Sequence, residues 1–280
     1  MKESFNPDLD AYFERIGDTG SRDPNLATLN RIVEAHIRTI PFENLDVVLG
    51  HPISVQPADI ERKLVHRGRG GYCFEQNSLL QFVLIALGYA VQPISARVCI
   101  QKPRSFTAPR THLFLRVELD GEAWLADVGV GSFSPTCALR LVLNDPQITP
   151  HEMRRIVSVG DWSGLDRRAP DAVLYHQVLL GDAWEDICEF TLEEMQPVDR
   201  ELGNWFTSAH PDSQFRSQIK VSRSTGTGRI TLLDRELKKR GKGAEVVIRL
   251  LRSDEEVLET LREEFGICLP AGTSFAHLGL

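Results

Sequence analysis

The sequence has few of the features that mark disulfide frameworks, metal sites or membrane spans. Its cysteines are odd in number, scattered and without a C-x-x-C pair: Cys73, Cys99, Cys137, Cys188 and Cys268. This spacing argues against a disulfide framework and against a zinc site. The eight histidines form no H-x-x-x-H or H-x-x-E-H pattern, so we expect no metal.

Long apolar runs and an excess of positive charge are also missing. No segment approaches the roughly 20 apolar residues that a bilayer-spanning helix needs, and residues 1–17 contain no apolar stretch typical of a signal peptide. The formal net charge of −7 argues against a general nucleic-acid binder. We therefore expect a cytoplasmic protein with no nucleic-acid and no membrane partner.

The chain is long enough to bury a large core. It has 280 residues, of which 42% are hydrophobic and 25% charged, as in ordinary globular proteins. This length allows two or three subdomains around separate cores.

The period of the apolar residues changes near residue 90. Up to that point the spacing is helical, with a first helix that ends at Gly17 and a shorter one that begins at Pro57. Alternating runs then predict strands at residues 91–100, 111–119, 122–128, 174–180 and 185–190. These strands indicate a small antiparallel barrel or sandwich.

The last 80 residues combine strands with one helix. A turn-rich link over residues 196–215 leads to a predicted hairpin, with strands at residues 218–222 and 229–233, and a further strand at residues 246–250. Ser253 and Glu256 are spaced as a capping box that begins a helix, and Gly266 marks its end.

One cysteine lies at the start of a predicted helix, in the stretch Arg69-Gly-Gly-Tyr-Cys73-Phe-Glu-Gln-Asn77. An apolar run without a breaker follows it and ends at Gly88. The positive end of the helix dipole favours thiolate, and the charges of Arg67 and Arg69 would add to that effect. Cys73 is therefore a candidate nucleophile, although a lone cysteine is more often a small buried hydrophobe.

Residues 111–131 predict a β-hairpin with its turn at Asp120-Gly121. With a two-residue turn, Asp127 lies diagonal to His112 on one face, within reach of an imidazole–carboxylate contact. The other face is almost wholly apolar and should pack on the core. A histidine held by a carboxylate is the base half of a nucleophilic triad. The alternative is that each of these two residues satisfies only its own strand end or loop.

These motifs resemble those of the arylamine N-acetyltransferases. The stretch around Cys73 is similar to that family's cysteine signature, and four further stretches match in the same order along the chain: Ile40–Leu45, Pro109–His112, Ala126–Gly129 and Trp205–Phe215. The resemblance implies that Cys73, His112 and Asp127 form a cysteine-protease-like catalytic triad. It also implies that Phe42 lines the acceptor pocket.

The chain departs from the family pattern after the aspartate. Many relatives have a Val-Gly-Phe-Gly sequence there, whereas this chain has Val128-Gly-Val130-Gly131. In the family this position lies beside the acceptor pocket. We therefore expect Val130 to belong to the substrate-binding residues and to change the acceptor preference, not the chemistry.

Together these patterns predict a mixed α+β fold with three domains. Residues 1–90 form an N-terminal helical bundle that carries the nucleophile, residues 91–200 a central antiparallel β-barrel that carries the histidine and aspartate, and residues 201–280 a C-terminal α/β lid. For the central domain we take the barrel rather than the sandwich as the prediction.

The resemblance also implies the reaction. Acetyl-CoA donates its acetyl group to the cysteine, and a small aromatic amine or hydrazine then accepts it in a ping-pong mechanism. The residues by themselves leave two alternatives open. One is a cysteine hydrolase or transglutaminase-like amide transferase with the same triad, and the other is a binding module in which Cys73 is structural.

Overall fold

A computed structural model describes residues 5–159 and 172–279. Helices occupy the N-terminal part, as predicted, and one short strand lies among them: α1 Leu9–Ile16, α2 Leu26–Thr39, β1 Phe42–Glu43, α3 Leu45–Val48, α4 Pro57–Glu61 and α5 Cys73–Ala86. The Asp8 side chain caps α1, which ends at Gly17 with a φ of 67°. A π-helical turn, Arg62–His66, continues α4.

The middle of the chain forms one antiparallel sheet of eight strands. They are β2 Ala90–Val98, β3 His112–Leu119, β4 Glu122–Ala126, β5 Leu139–Arg140, β6 Gln147–Ile148, β7 Met153–Ser158, β8 Leu174–Leu180 and β9 Ala183–Glu194. Their order is β5-β4-β3-β2-β9-β8-β7-β6. All five predicted strands are present, with ends shifted by four residues at most.

The sheet curls until its two outer strands meet. The Gln147 side chain accepts a hydrogen bond from the Arg140 amide at 2.7 Å and donates one to the Arg140 carbonyl at 2.9 Å. This contact joins β5 to β6 and leaves a nearly closed barrel. The prediction of a barrel is therefore confirmed.

The β3–β4 hairpin has the predicted register, since Leu119 pairs with Glu122 and Leu115 with Ala126. Its apolar face packs against the N-terminal helices, as expected. The opposite face is buried as well, because Phe114 and Leu125 point into the barrel core. Both faces of the hairpin therefore lie in cores, and the polar residues on the second face are enclosed.

Five strands form a second antiparallel sheet. After β1 come β10 Lys220–Ser224, β11 Gly228–Leu233, β12 Glu236–Gly241 and β13 Val247–Leu250, in the order β1-β10-β11-β12-β13. Helix α7, Asp254–Phe265, is capped by Ser253, ends at Gly266 and packs on this sheet. Leu45 and Val48 of α3 share the same core. The N-terminal segment thus contributes to this layer, and the domain boundaries at residues 90 and 200 stay predictions.

One predicted link is wrong. Most of residues 196–215 form helix α6, Pro197–Ala209, which begins with a proline at its first position. The buried side of α6 is small or polar, with Gly203, Asn204 and Thr207, while Leu202 and Trp205 are exposed. Helical periodicity is hard to recognise when the buried face is not the apolar one.

Candidate active site

The start of α5 is held by a salt bridge and a backbone hydrogen bond. The Glu75 carboxylate accepts from the Tyr72 amide at 3.1 Å and pairs with the Lys63 ammonium at 2.7 Å. A Cβ at Gly71 would come within 2.6 Å of this carboxylate, so only glycine fits there. These contacts place Cys73 as the first residue of the helix.

Cys73 is 5% exposed, and its Sγ donates to the Thr111 carbonyl at 3.4 Å. Thr111 precedes His112 at the start of β3, and the Cys73 sulfur lies close enough to the imidazole to help raise the pKa of His112. The Nε2 atom of His112 lies 2.8 Å from Oδ2 of Asp127, which leaves Nδ1 for the sulfur. The structure thus brings together the three residues that the sequence singled out.

The imidazole and the carboxylate are both fully enclosed, with His112 1% and Asp127 0% exposed. Burial by itself would lower the pKa of His112. The Asp127 charge, the hydrogen bond between them and the contact with Cys73 outweigh it, and the pKa of His112 is raised. Burial likewise opposes ionisation of Asp127, but His112 and the Asn77 and Gly129 donors lower its pKa. The pair therefore favours imidazolium next to carboxylate.

Asn77 is a site residue that our sequence reasoning missed. Its Nδ2 donates to the Leu113 carbonyl at 2.6 Å and to Oδ1 of Asp127 at 2.9 Å, and its Oδ1 accepts from the Val128 amide at 2.9 Å. One amide thus joins α5 to β3 and to the segment after β4. The available signal was its position four residues after Cys73, on the same face of the helix.

The glycine after Val128 is required by close packing. A Cβ at Gly129 would lie 2.7 Å from Cα of Cys73 and 2.6 Å from Nδ2 of Asn77. Its amide donates to Oδ1 of Asp127 at 2.8 Å. The backbone at Gly129 therefore lies directly against the cysteine and supports the aspartate at the same time.

The two residues expected to bind substrate flank the same segment. Phe42 packs against the hydrophobic cluster that contains Cys73, and the Gly131 backbone lies against its ring. Val130 is buried in the barrel core, and its amide donates to Oγ of Ser134 at 3.1 Å. Their contact with substrate stays a prediction.

Arg69, which precedes the two glycines, is paired with carboxylates. Arg69 donates to the buried Glu43 carboxylate at 2.7 Å and to Asp46 at 3.1 Å. Glu43 comes from β1, far away in sequence, and neutralises the positive field that we expected at the cysteine. Arg67 is exposed.

A cleft of about 420 Å³ reaches Thr111, the residue whose carbonyl contacts the Cys73 sulfur. Met195, Leu202 and Phe206 line it, together with the acidic residues Glu193, Glu194 and Asp199. Helix α6 is seated by Gly203, whose Cα lies against the Phe74 ring. The Cys73, His112 and Asp127 side chains line neither this cleft nor a larger one of about 630 Å³ near Lys63, and only the first includes Thr111, next to His112.

Two classes of feature are missing from the part of the chain that the structure describes. Within residues 5–159 and 172–279, no three His, Cys, Asp or Glu side chains are grouped so that they could hold a metal ion. No helix in these ranges combines the length and apolarity that a bilayer crossing requires.

A buried cysteine, histidine and aspartate between a helix and a barrel are typical of enzymes that transfer acyl groups through a thioester. Comparison with known proteins points to the same class, because a family model described as N-acetyltransferase matches residues 25–273. The arylamine N-acetyltransferase of Mycobacterium tuberculosis is 39% identical over 264 residues, which cover 93% of this chain and 89% of that relative. The Escherichia coli relative of the same name is 37% identical over 267 residues, with 94% and 90% covered.

Solved structures agree. The M. tuberculosis arylamine N-acetyltransferase superposes with a TM-score of 0.85 at 38% identity, covering 93% of this chain and 94% of that one. The Mycobacterium marinum enzyme in complex with CoA gives a TM-score of 0.86 at 34% identity, with 97% of each chain covered. The chain belongs to the arylamine N-acetyltransferase family, a family of acyltransferases.

Proposed function

We propose that this protein transfers the acetyl group of acetyl-CoA to an arylamine or hydrazine through an acetyl-Cys73 intermediate. The observation that carries the proposal is the buried contact of His112 with Asp127 at 2.8 Å, next to a cysteine at a helix N-terminus. The CoA complex of the similar M. marinum enzyme supports acetyl-CoA as the donor.

In the first half-reaction, His112 accepts the Cys73 proton and the sulfur attacks the thioester carbonyl. The tetrahedral intermediate collapses, the carbon–sulfur bond to CoA breaks, and His112 returns the proton to the departing CoA thiolate. One thioester replaces another, so little free energy is needed. Because Asp127 raises the pKa of His112, the imidazolium is available as the acid.

In the second half-reaction, the amine nitrogen attacks the acetyl-cysteine carbonyl. His112 takes the proton from the nitrogen, and the Cys73 thiolate leaves and regains a proton from His112. Asp127 keeps the imidazole oriented throughout. Backbone amides near Cys73 and Phe74 are our proposed donors to the oxyanion, a contribution of about 3 kcal/mol for one such donor in other enzymes.

The cleft at Thr111 is the proposed entrance for the acceptor. Its apolar wall at Leu202 and Phe206 suits an aromatic ring, while the nitrogen points towards the cysteine. The domain roles stated above belong to the same proposal: a helical part with the nucleophile, a barrel with the base, and residues 201–280 as a lid. We also propose that the enzyme works in the cytoplasm.

Incubation with acetyl-CoA tests the proposal. We expect one acetyl group on the Cys73 peptide by mass spectrometry, with a stoichiometric burst of CoA, and its transfer to aniline on addition. Cys73→Ala should abolish turnover without unfolding the chain, whereas Cys268→Ser, at an exposed cysteine, should behave as wild type. An unmodified Cys73 would contradict the proposal. Acylation by a peptide or ester but not by acetyl-CoA would favour the hydrolase.

A further inference from the structure

An arginine of the second sheet reaches across to the segment that follows Asp127. Arg229 lies on β11, and its Nη1 donates to the Ser132 carbonyl. Its Nη2 donates to the Ser134 carbonyl at 3.2 Å and pairs with the Glu152 carboxylate at 2.9 Å. One guanidinium therefore holds the middle residue and the C-cap of the short 3₁₀ turn Gly131–Phe133.

This turn connects the cysteine to the expected acceptor wall. The Gly129 backbone packs on Cys73, and two residues further on Gly131, with a φ of 70°, packs on the Phe42 ring. The segment of residues 128–134 thus contacts both Cys73 and Phe42. A shift of this segment would change the space in front of an acetylated cysteine.

Two separate groups anchor the two halves of the segment. Asn77 holds Asp127 and Val128 from helix α5. Arg229 holds Ser132 and Ser134 from the second sheet. Loss of Arg229 should therefore free the second half and leave the histidine–aspartate pair in place.

The arginine is held in turn by a buried charge network. Its side chain is 11% exposed, and Glu152 pairs with both Arg229 and the fully buried Arg154. Arg154 donates to Nε2 of His176 at 2.9 Å inside the barrel. Desolvation offsets most of the attraction in such buried pairs, so orientation is the main effect that the network contributes.

We propose that Arg229 is a positioning residue for the acceptor half-reaction, because it fixes residues 130–134 against Phe42 in front of the acetyl-cysteine. The inference rests on the proposed acetyl transfer. With this role, the second sheet contributes to substrate binding through the charged hydrogen-bond donor Arg229. It does more than shield the site from solvent.

Kinetics of Arg229→Gln and Arg229→Lys test the assignment. Because two hydrogen bonds to the segment are lost, we expect Arg229→Gln to raise the acceptor KM about tenfold. Single-turnover acetylation of Cys73 should stay within about twofold of wild type. Arg229→Lys, which keeps the charge and part of the donors, should recover part of the loss. The matched control is Arg240→Gln. Arg240 is the residue opposite Arg229 in the register of β11 and β12, but its side chain is exposed.

Amide hydrogen exchange gives a readout that does not depend on acetyl transfer. Peptides covering residues 130–134 should exchange at least tenfold faster in Arg229→Gln than in wild type or Arg240→Gln, while residues 113–128 stay protected. Unchanged exchange in residues 130–134 would overturn the inference, as would an equal loss in both half-reactions. If residues 130–134 exchange faster in Arg229→Gln but wild type forms no acetyl-Cys73, Arg229 still anchors the segment. The proposed acetyl transfer is then the part that is rejected.

Discussion

Asn77, one helical turn after Cys73, donates to the Asp127 carboxylate at 2.9 Å, and Asp127 in turn contacts His112 at 2.8 Å. The Asn77 side chain also accepts from Val128 and donates to Leu113. Asn77 belongs to the same helix as Cys73, and its side chain is hydrogen-bonded to the barrel. The distance between Cys73 and His112 is therefore set partly by this amide.

Replacing Asn77 by alanine should loosen that connection. The change leaves the Val128 amide and the Leu113 carbonyl without their buried partner, which costs about 2–4 kcal/mol of unfolding free energy. We expect acetylation of Cys73 to slow by at least tenfold. Urea unfolding and single-turnover kinetics measure the two effects. Gln81→Ala, one turn further along α5, is the control, and equal behaviour of the two variants would refute this role.

The His112–Asp127 pair predicts a specific dependence of stability on pH. The pKa of His112 is raised from 6.5, so its contribution is complete below pH 6.5 and is lost as pH rises towards the raised pKa. The pKa of Asp127 is lowered from 3.8, so its contribution is complete above pH 3.8 and is lost as pH falls through the lowered pKa. The pair should stabilise the folded protein most between pH 3.8 and pH 6.5.

Asp127→Asn measures this contribution. The difference in unfolding free energy between wild type and variant should be largest near pH 5–6 and shrink by pH 9. The variant should also lose about four orders of magnitude in turnover, as in triads that lose their carboxylate, and Cys73 should be alkylated more slowly near pH 7. A difference that does not change with pH would argue against an ion pair.

Gly129 should not tolerate a side chain. A methyl group there would stand 2.7 Å from Cα of Cys73, so Gly129→Ala must push the backbone away from the helix. We expect a loss of about 1–3 kcal/mol in stability and slower acetylation. Gly226→Ala is the matched control, because its Cβ would meet its nearest neighbour, Arg38, at an ordinary 3.6 Å. Wild-type acetylation in Gly129→Ala would contradict the close packing.

Leu202 tests the proposed acceptor cleft. Its side chain lines the cleft and is 61% exposed, whereas Val198, one turn earlier on α6, is 60% exposed and does not line it. Removing an apolar contact of this size costs about 1–1.5 kcal/mol, so Leu202→Ala should raise the arylamine KM five- to tenfold without a change in stability. Val198→Ala should leave KM unchanged. Equal KM values for both variants would place the acceptor elsewhere.

Local sequence rules predicted the parts of the site that are close along the chain. The turn at Asp120-Gly121 sets the register of β3 and β4, and that register brings His112 and Asp127 together. The start of α5 at Cys73 and its end before Gly88 follow from capping and helix-breaking residues. Short-range rules succeed here because the contacts span few residues.

Other parts could not be predicted. Strand β7 was missed because its inward residues include the buried Arg154, and a charge in a strand looks like an exposed position. Helix α6 was missed because its apolar residues face outwards. The field of Arg69 was overestimated because Glu43 comes from a distant strand. Each case depends on a partner that sequence periodicity does not contain.

The sequence by itself determined that a cysteine begins a helix and that an imidazole meets a carboxylate across one hairpin, because turns, caps and alternation act between near neighbours. The tertiary structure alone decided that the sulfur lies beside that imidazole. It also decided that Asn77 anchors Asp127 and Val128. Likewise, it decided that Arg229 anchors Ser132 and Ser134. Those contacts join residues 36 to 97 positions apart along the chain, and only the packing of the helices, the barrel and the second sheet brings them close together.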